Sequence, residues 1–254
     1  MMQAEALRFI SEFRFYFTSH LGQLATRIIF LGGLLWVVFS SGEKSLATLI
    51  AVLFWQYATL PLSRMTVDLW EDSYTGAFEQ TYIHVTSYAW LLTVRSFWHF
   101  VYQTALGIVL FFLFGLAFGF PWQTLKAFPW ADVLILLILT LVGFWGIGLG
   151  VAGLLMIYRR GIDLADLAEY ILLFLAGVVI PLEKLPSFLQ AVALFLPLTL
   201  AVSLLRSLQE GGVLLGDPRM MWLVLQSLIF AVGGLVVFHW AESKARKGRG
   251  FFQG

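Results

Sequence analysis

The sequence predicts an all-α integral membrane protein with six membrane-spanning helices. Of its 254 residues, 60% are hydrophobic and 12% are charged, whereas charged residues make up about 25% of an ordinary soluble domain. The apolar residues fall into blocks of about 18 to 27, the length a helix needs to cross a hydrocarbon core of about 30 Å. The basic residues also lie mostly at one side of these blocks, which fixes an orientation.

The overall charge and the absence of cysteine exclude several classes of function. The formal net charge is +1 and the basic residues are scattered, so we expect no nucleic-acid partner. With no cysteine, the chain has no disulfide, no thiolate metal site and no cysteine nucleophile. We find no linker or internal repeat, and residues 1–254 are interpreted as one transmembrane domain.

The N-terminal segment, residues 1–20, is predicted to be an amphipathic helix in the headgroup region. Phe9, Phe13 and Phe17 recur every four residues, while charged residues fall largely on other faces. A solvated helical leader is the alternative. Residues 21–181 are predicted to hold the first five spans, and a cytoplasmic tail at 241–254 follows the sixth. The predicted spans are 21–40, 45–67, 89–118, 132–157, 166–181 and 219–240.

Residues 182–216 are predicted to form an external re-entrant helical hairpin between spans five and six. The stretch 188–205 is apolar enough to cross, but Pro197 interrupts it. Without that crossing, both termini are cytoplasmic and most basic residues lie inside, as the positive-inside rule requires. The residues placed inside are Arg8, Arg14, Arg27, Arg64, Arg95, Arg159, Arg160, Lys244, Arg246, Lys247 and Arg249. The residues placed outside are Lys44, Lys126, Lys184, Arg206 and Arg219.

The motifs of several catalytic and transport mechanisms are missing from the sequence. No Gly-Lys dipeptide occurs, so the chain lacks the phosphate-binding loop of an ATPase. The carboxylates Asp68, Asp132, Asp163, Asp166 and Glu169 are placed at or near span ends, which leaves a gradient-driven carrier without its usual buried acids. We therefore predict no catalytic residue, no metal site and no cofactor in this chain.

The second span carries a polar stripe formed by Thr48, Gln56, Thr59 and Ser63. Their spacings of eight, three and four place them on one helical face, where they either line a pathway or join two helices by hydrogen bonds. The aromatic residues Phe54, Trp55 and Tyr57 are further candidates for a pathway lining. In the fourth span, Gly143, Gly146, Gly150 and Gly153 share a face on which another helix can approach closely.

The loop after the second span contains Gly76, Glu79, Gln80 and Ser87. This pattern resembles the cytoplasmic loop of type-2 ATP-binding-cassette exporter permeases, in which a coupling helix docks on the ATPase subunit. Val85 stands where the family usually has proline. The resemblance implies that Glu79 and Gln80 contact the ATPase, and we add Asp68, Glu71 and Asp72 as an acidic complement to basic residues on that partner.

The segment after the fifth span is similar to the same permeases. The matching residues are Gly177, Pro181, Leu185, Pro186, Pro197, Thr199 and Arg206. In the family this pattern forms the external re-entrant hairpin that caps the translocation path. The N-terminal helix and the basic tail also resemble the family, so the resemblance extends over the whole chain.

The resemblance implies a permease subunit of an ATP-driven exporter in a bacterial or archaeal plasma membrane. Its expected partners are a separate ATPase that binds ATP and magnesium, a second permease forming a homodimer or heterodimer, and membrane lipids. An amphipathic drug, lipid or other small molecule is the expected substrate, as in multidrug exporters. The alternatives are a polysaccharide- or glycolipid-exporting permease of the same family, a gradient-driven carrier or channel, or a membrane-embedded enzyme or assembly factor.

Overall fold

The computed structural model describes residues 2–15, 17–40, 45–119, 123–158 and 162–247. Within these ranges the chain forms eleven α-helices, one 3₁₀ turn and no β-strand, which confirms the all-α prediction for this part of the chain. The helices are α1 Met2–Phe15, α2 Phe17–Ser40, α3 Leu46–Tyr74, α4 Ala77–His84, α5 Tyr88–Ala117, α6 Thr124–Ala127, α7 Trp130–Tyr158, α8 Ile162–Leu175, α9 Ser187–Ala193, α10 Pro197–Gln209 and α11 Pro218–Lys247, and the 3₁₀ turn is Leu182–Lys184.

Five described helices are long and apolar enough to cross a membrane, namely α2, α3, α5, α7 and α11. The pair α9 and α10 passes the same test only when taken together, and its axis bends by 96°. By length and composition, the described part of the chain therefore has five candidate spans, or six if the bent pair is one broken span. The predicted fifth span differs most, because α8 has 14 residues and ends at Leu175, six residues before the predicted boundary. At 1.5 Å per residue such a helix is about 21 Å long, shorter than the hydrocarbon core.

Helix α3 is the central element of the fold. Its side chains are buried on nearly every side, since the sequence from Leu46 onward is apolar all round. The helix packs against α5, α7, α8 and α10. It begins at Ser45, whose side chain accepts a hydrogen bond from the backbone N–H of Thr48 at 3.3 Å.

The glycine face of the fourth span lies where α7 meets α11. A Cβ atom added at Gly146 would lie 2.1 Å from the carbonyl oxygen of Phe230, and one added at Gly234 would lie 1.8 Å from the carbonyl oxygen of Gly146. No side chain fits at these distances, so the two backbones are in direct contact. The predicted close approach at this face is present.

The N-terminal segment is divided differently from the prediction. α1 ends at Phe15 and α2 already begins at Phe17, so the first long helix starts about one turn before the predicted boundary at residue 21. α1 contacts the start of α5, where the rings of Phe9 and His99 lie 5.6 Å apart. Its place in the headgroup region stays a prediction.

Some predicted positions lie outside the described residues or have side chains that are not described. These are Phe13, Phe17, Lys44, Arg159, Arg160, Asp163, Asp166, Arg246, Lys247 and Arg249.

Candidate functional site

The loop residues Gly76 and Ser87 set the limits of α4. Gly76 has a φ of +72°, a left-handed conformation that glycine adopts without steric cost, and it joins the end of α3 to α4. Ser87 precedes α5, and its hydroxyl oxygen accepts a hydrogen bond from the backbone N–H of Trp90 at 3.3 Å. Val85 ends α4 in an extended conformation, so this turn forms without proline.

The inner face of α4 is fixed to the rest of the protein by aromatic contacts. Phe78 is buried between Tyr82 and Tyr88, with ring centroids 5.6 and 4.9 Å away. The hydroxyl of Tyr82 donates a hydrogen bond to Oε1 of Glu242, on α11, at 2.5 Å. The helix is therefore held to both α5 and α11.

The outer face of α4 is exposed. Glu79 and Gln80 are both exposed, as the prediction of a partner contact requires. Two large apolar side chains beside them are also exposed, Ile83 at 77% and Tyr74 at 79%. A polar pair flanked by exposed apolar groups has the composition of a protein interface.

A buried network lies beneath α4 and corrects part of the predicted acidic surface. Asp72 Oδ2 accepts hydrogen bonds from the hydroxyl of Tyr88 at 2.6 Å and from Nη1 of Arg95 at 2.7 Å. Arg95 Nε also lies 3.4 Å from Oε2 of Glu5 on α1. Asp72 is 5% exposed and Asp68 is 6% exposed, so neither can face an ATPase. The prediction for these two residues was wrong because both turn inward toward α5.

The polar stripe of the second span is divided among different environments. Gln56 accepts a hydrogen bond from Nε2 of Gln103 at 2.7 Å, and the hydroxyl of Thr59 donates to Oε1 of Glu169 at 3.2 Å. Gln56 and Ser63 line a cavity of about 230 Å³ between α2, α3, α5 and α8. Thr48 lines a separate cavity, more than two helical turns away. The stripe thus joins helices at Gln56 and Thr59, and Thr48, Gln56 and Ser63 also border open space.

The aromatic candidates lie on two sides of α3. Phe54 and Tyr57 line an apolar groove of about 430 Å³ together with side chains of α5 and α7. Trp55 instead lines the 230 Å³ cavity, and its indole N–H donates to the carbonyl oxygen of Glu169 at 2.9 Å. The three residues therefore do not form one continuous lining.

The residues of the predicted hairpin are brought together at the end of α3 opposite α4. Arg206 Nη2 donates to the carbonyl oxygen of Gly177 at 2.6 Å, which ties α10 to the segment after α8. Pro181 and Pro186 precede the 3₁₀ turn and α9, and Pro197 is the first residue of α10. The carbonyl oxygen of Leu185 accepts from Nε2 of Gln190 at 2.8 Å. The bend between α9 and α10 fits either a re-entrant hairpin or a broken span.

A family comparison adds independent information. The model of the ABC-2 type transporter family matches residues 1–209. The chain belongs to this family. No curated protein matches the chain. The match includes α4 and ends with the last residue of α10.

Family membership confirms part of the expected function. The ABC-2 membrane domain is a permease-type subunit and is not itself the ATPase, and members of the family typically work with an ABC ATPase. The long apolar helices and this membership make the chain a multi-pass membrane protein.

The structure corrects the placement of one charged residue that sequence reasoning put near a span end, and it gives the contacts of two basic residues that were counted as cytoplasmic. Glu169 meets Thr59 near the middle of α3 and is not at a span end. Arg27 donates to Oε1 of Gln103, which is near the midpoint of α5, and Arg95 is buried. Arg27 is half-buried beside the 230 Å³ cavity, and the side of the membrane on which these two residues lie stays a prediction.

Among the described residues, no three histidine, aspartate or glutamate side chains are grouped as metal ligands. Gln103, which sequence reasoning missed, could have been found as an amide in the middle of an apolar span. The arrangement as a whole offers binding surfaces and cavities to a transported molecule and a partner.

Proposed function

We propose that the chain is the permease subunit of an ATP-driven exporter that moves an amphipathic drug, lipid or other small molecule. Two permeases, identical or paralogous, pair side by side in a bacterial or archaeal plasma membrane with their termini in the cytoplasm. Each rests α4 on a separate ATPase subunit, which binds ATP and magnesium. In this arrangement the transported molecule moves between the two permeases.

The outer face of α4 is the observation that carries the proposal. Glu79, Gln80 and Ile83 are exposed there, and Tyr74 is exposed at the end of α3, while Phe78 and Tyr82 anchor α4 from beneath. A surface that is exposed yet rigidly held suits a contact that must transmit movement. We assign the polar contacts with the ATPase to Glu79 and Gln80. Of the acidic candidates Asp68, Glu71 and Asp72, Glu71 alone is exposed.

The contacts of α4 give the movement a physical route. Phe78 contacts Tyr88, which is bonded to Asp72 on α3, and Tyr82 is bonded to Glu242 on α11. ATP binding changes the permease only if the ATPase contacts its two conformations differently. A displacement of α4 therefore acts on α3, α5 and α11 together.

The cavities support an amphipathic substrate. The groove beside Phe54 and Tyr57 is almost entirely apolar, whereas the cavity beside Gln56 and Ser63 also contains Arg27 and Glu169. These two spaces lie on different sides of α3. A molecule with an apolar body and a polar end finds matching surfaces in both.

Charge reversal on α4 tests the docking surface. Glu79→Arg should reduce both recovery of the ABC ATPase with the purified permease and substrate-stimulated ATP hydrolysis, since it places a cation at the contact. Lys184→Glu is the control, because it is also a charge reversal at an exposed residue but lies in the turn after α8, outside the cavities and near the opposite end of α3. Unchanged recovery and hydrolysis in the Glu79 variant would remove this surface from the proposal.

The orientation has a separate test because the native chain contains no cysteine. A cysteine at exposed Ser187 should react with a membrane-impermeant thiol reagent added outside intact cells. One at exposed Ser243 should react only after the inner face becomes accessible. The reverse pattern would contradict cytoplasmic termini.

A further inference from the structure

Helix α10 carries a polar stripe that faces a cavity. Thr199, Ser203, Arg206 and Glu210 follow one another at spacings of four, three and four, so they share one helical face. All four line a cavity of about 640 Å³, which is within the size range of small-molecule sites. The opposite face of α10, which includes Leu204, Leu205 and Leu208, is buried in the core.

The walls of this cavity come from several parts of the fold. Ser45 and Thr48 at the start of α3 form one side, and Gly177 and Glu183 after α8 form another. Gln209 joins the end of α10 to the start of α3, because its Oε1 accepts hydrogen bonds from the hydroxyl of Ser45 at 2.6 Å and from the backbone N–H of Ala47 at 2.8 Å. The cavity is thus bounded by connected elements within one chain.

Charges of both signs face the cavity, and Arg219 is near enough to Glu210 for an electrostatic attraction. Arg219 is held by Asp217 at 2.6 Å and by the hydroxyl of Ser203 at 2.8 Å. Within the described part of the chain, Arg206, Glu183 and Glu210 make no ion pair closer than 4.0 Å. Arg206 uses one N–H on the carbonyl oxygen of Gly177 and retains other donors of its guanidinium.

Thr199 gives an independent indication that the cavity holds a ligand. Its side chain is 2% exposed, and its Oγ1 has no hydrogen-bond partner among the described residues. A buried hydroxyl without a partner is unfavourable, and a water molecule or a ligand group next to it would satisfy it. Thr199 lies seven residues from Arg206, about 10.5 Å along the helix axis.

We infer that this cavity binds a zwitterionic headgroup carrying a phosphate and a primary amine joined by a short linker. Arg206 is the phosphate ligand, since a guanidinium can donate two parallel hydrogen bonds to phosphate oxygens. Glu210 lies four residues further along, and its carboxylate takes the ammonium group about one helical turn away. Glu183 adds a second acidic group on the facing wall.

This inference goes beyond the proposed function, because it requires neither the ATPase nor transport. The same chemistry is found in the headgroup of a phosphatidylethanolamine lipid and in free phosphoethanolamine. A purified permease without its partner is therefore sufficient to test the site, and loss of binding would leave the docking surface on α4 untouched.

Protection of an introduced cysteine provides the test. Ser207 lines the cavity, and the native chain has no cysteine, so Ser207→Cys places one reporter there. Phosphoethanolamine should slow the reaction of this cysteine with a charged thiol reagent. At a phosphoethanolamine concentration of about ten times its dissociation constant, the rate should be reduced about tenfold. Ser187→Cys, outside the cavity, should react at the same rate with and without the probe.

Two further arms identify the source and the chemistry. Slower labelling of Ser207→Cys in nanodiscs of phosphatidylethanolamine than in nanodiscs of phosphatidylglycerol would assign the site to a lipid, whereas protection by soluble phosphoethanolamine alone would assign it to a free solute. If neither phosphatidylethanolamine nor soluble phosphoethanolamine protected the cysteine, the inference would be overturned. Equal protection by inorganic phosphate would overturn the zwitterionic assignment.

Variants of the two ligand residues complete the test. In the Ser207→Cys background, Arg206→Gln should abolish protection, and Glu210→Gln should make phosphoethanolamine no better than inorganic phosphate. Glu210 is exposed, so its substitution is compatible with folding even if Arg206→Gln is not. Lys184→Gln, a cation outside the cavity, is the matched control and should leave protection unchanged. If phosphoethanolamine still protected the Glu210 variant better than inorganic phosphate does, the ammonium contact would be contradicted.

Discussion

Helices α4 and α10 are both short and amphipathic, and they lie at opposite ends of α3. α4 follows the C-terminal end of α3, whereas Gln209 at the end of α10 bonds to Ser45 and Ala47 at the N-terminal end. α4 buries Phe78 and leaves Glu79 and Gln80 exposed on the outside. α10 buries its leucines and turns its polar stripe toward a cavity.

The difference indicates which kind of partner each helix serves. An exposed polar face flanked by apolar side chains suits a large protein surface, and a polar face turned into an enclosed space suits a small ligand. Both helices are fixed to α3. Helix α4 is fixed through Tyr88, which bonds to Asp72, and α10 is fixed through Gln209. Three changes follow, from the largest expected effect to the smallest; the first two break these connections, and the third breaks the Asp217–Arg219 pair beside α10.

Asp72→Asn should have the largest effect because it removes a charge from the network beneath α4. Arg95 is 7% exposed and would lose the carboxylate that lies 2.7 Å away. Breaking a buried pair by removing one partner costs about 3–5 kcal/mol. We expect a fall of this size in the free energy of unfolding, measured by denaturation of the purified protein in detergent, together with weaker recovery of the ATPase.

Glu71→Gln is the control for that substitution, since Glu71 is the exposed neighbour of Asp72. Its free energy of unfolding should stay within about 0.5 kcal/mol of the native value. If the two variants unfolded alike, the buried network would have no special role in holding α4.

Gln209→Ala should have an intermediate effect at the other end of α3. It removes two hydrogen bonds, to Ser45 and to the backbone N–H of Ala47, each of which contributes about 0.5–1.5 kcal/mol. We expect a loss of about 1–3 kcal/mol in the same unfolding experiment. ATPase recovery should be unchanged, because α4 is distant from this contact, and a loss of recovery equal to that of Asp72→Asn would mean that the two ends are not independent.

Asp217→Asn should have the smallest effect, and that effect depends on pH. Hydrogen bonds donated by Arg219 hold the pKa of the Asp217 carboxyl below its ordinary value of 3.8. A carboxyl with a lowered folded pKa contributes stability above its unfolded pKa, and the contribution is lost as the pH falls through the folded pKa. The variant should therefore melt slightly below the native protein at pH 7, and the gap should close as the pH falls below about 4. A gap that widened in acid would contradict this sign.

Much of the membrane architecture could be predicted from apolar length and residue spacing. Five long apolar helices appear near their predicted places, and the glycines of α7 meet α11 where Gly146 faces Gly234. Glycines at spacings of three and four residues face one side whatever the partner helix is, so local sequence is sufficient there. The early end of α8 at Leu175 could not be predicted in this way, because its surroundings continue to be apolar up to Pro181.

The candidate site was predicted less completely, because pairing between helices decides which polar groups are buried. Asp68 and Asp72 were interpreted as a surface, yet they lie four residues apart, as Arg95 and His99 do on the next helix. In an antiparallel pair these spacings match, and the structure joins Asp72 to Arg95 and places Asp68 3.6 Å from His99. The position of Glu169 was predicted wrongly for the same reason, since its depth in the helix bundle is set by its contact with Thr59 and not by its position in the sequence.

Crosslinking from α4 tests the central claim, that this face docks an ATPase, most directly. A cysteine replaces Gln80 in the cysteine-free chain, a thiol-to-amine crosslinker is applied in the native membrane, and the product is identified by mass spectrometry. The proposal predicts a covalent product with an ABC ATPase from Gln80→Cys and none from Ser187→Cys on α9. Absence of an ATPase from the Gln80 product, or its equal capture from Ser187, would contradict the account.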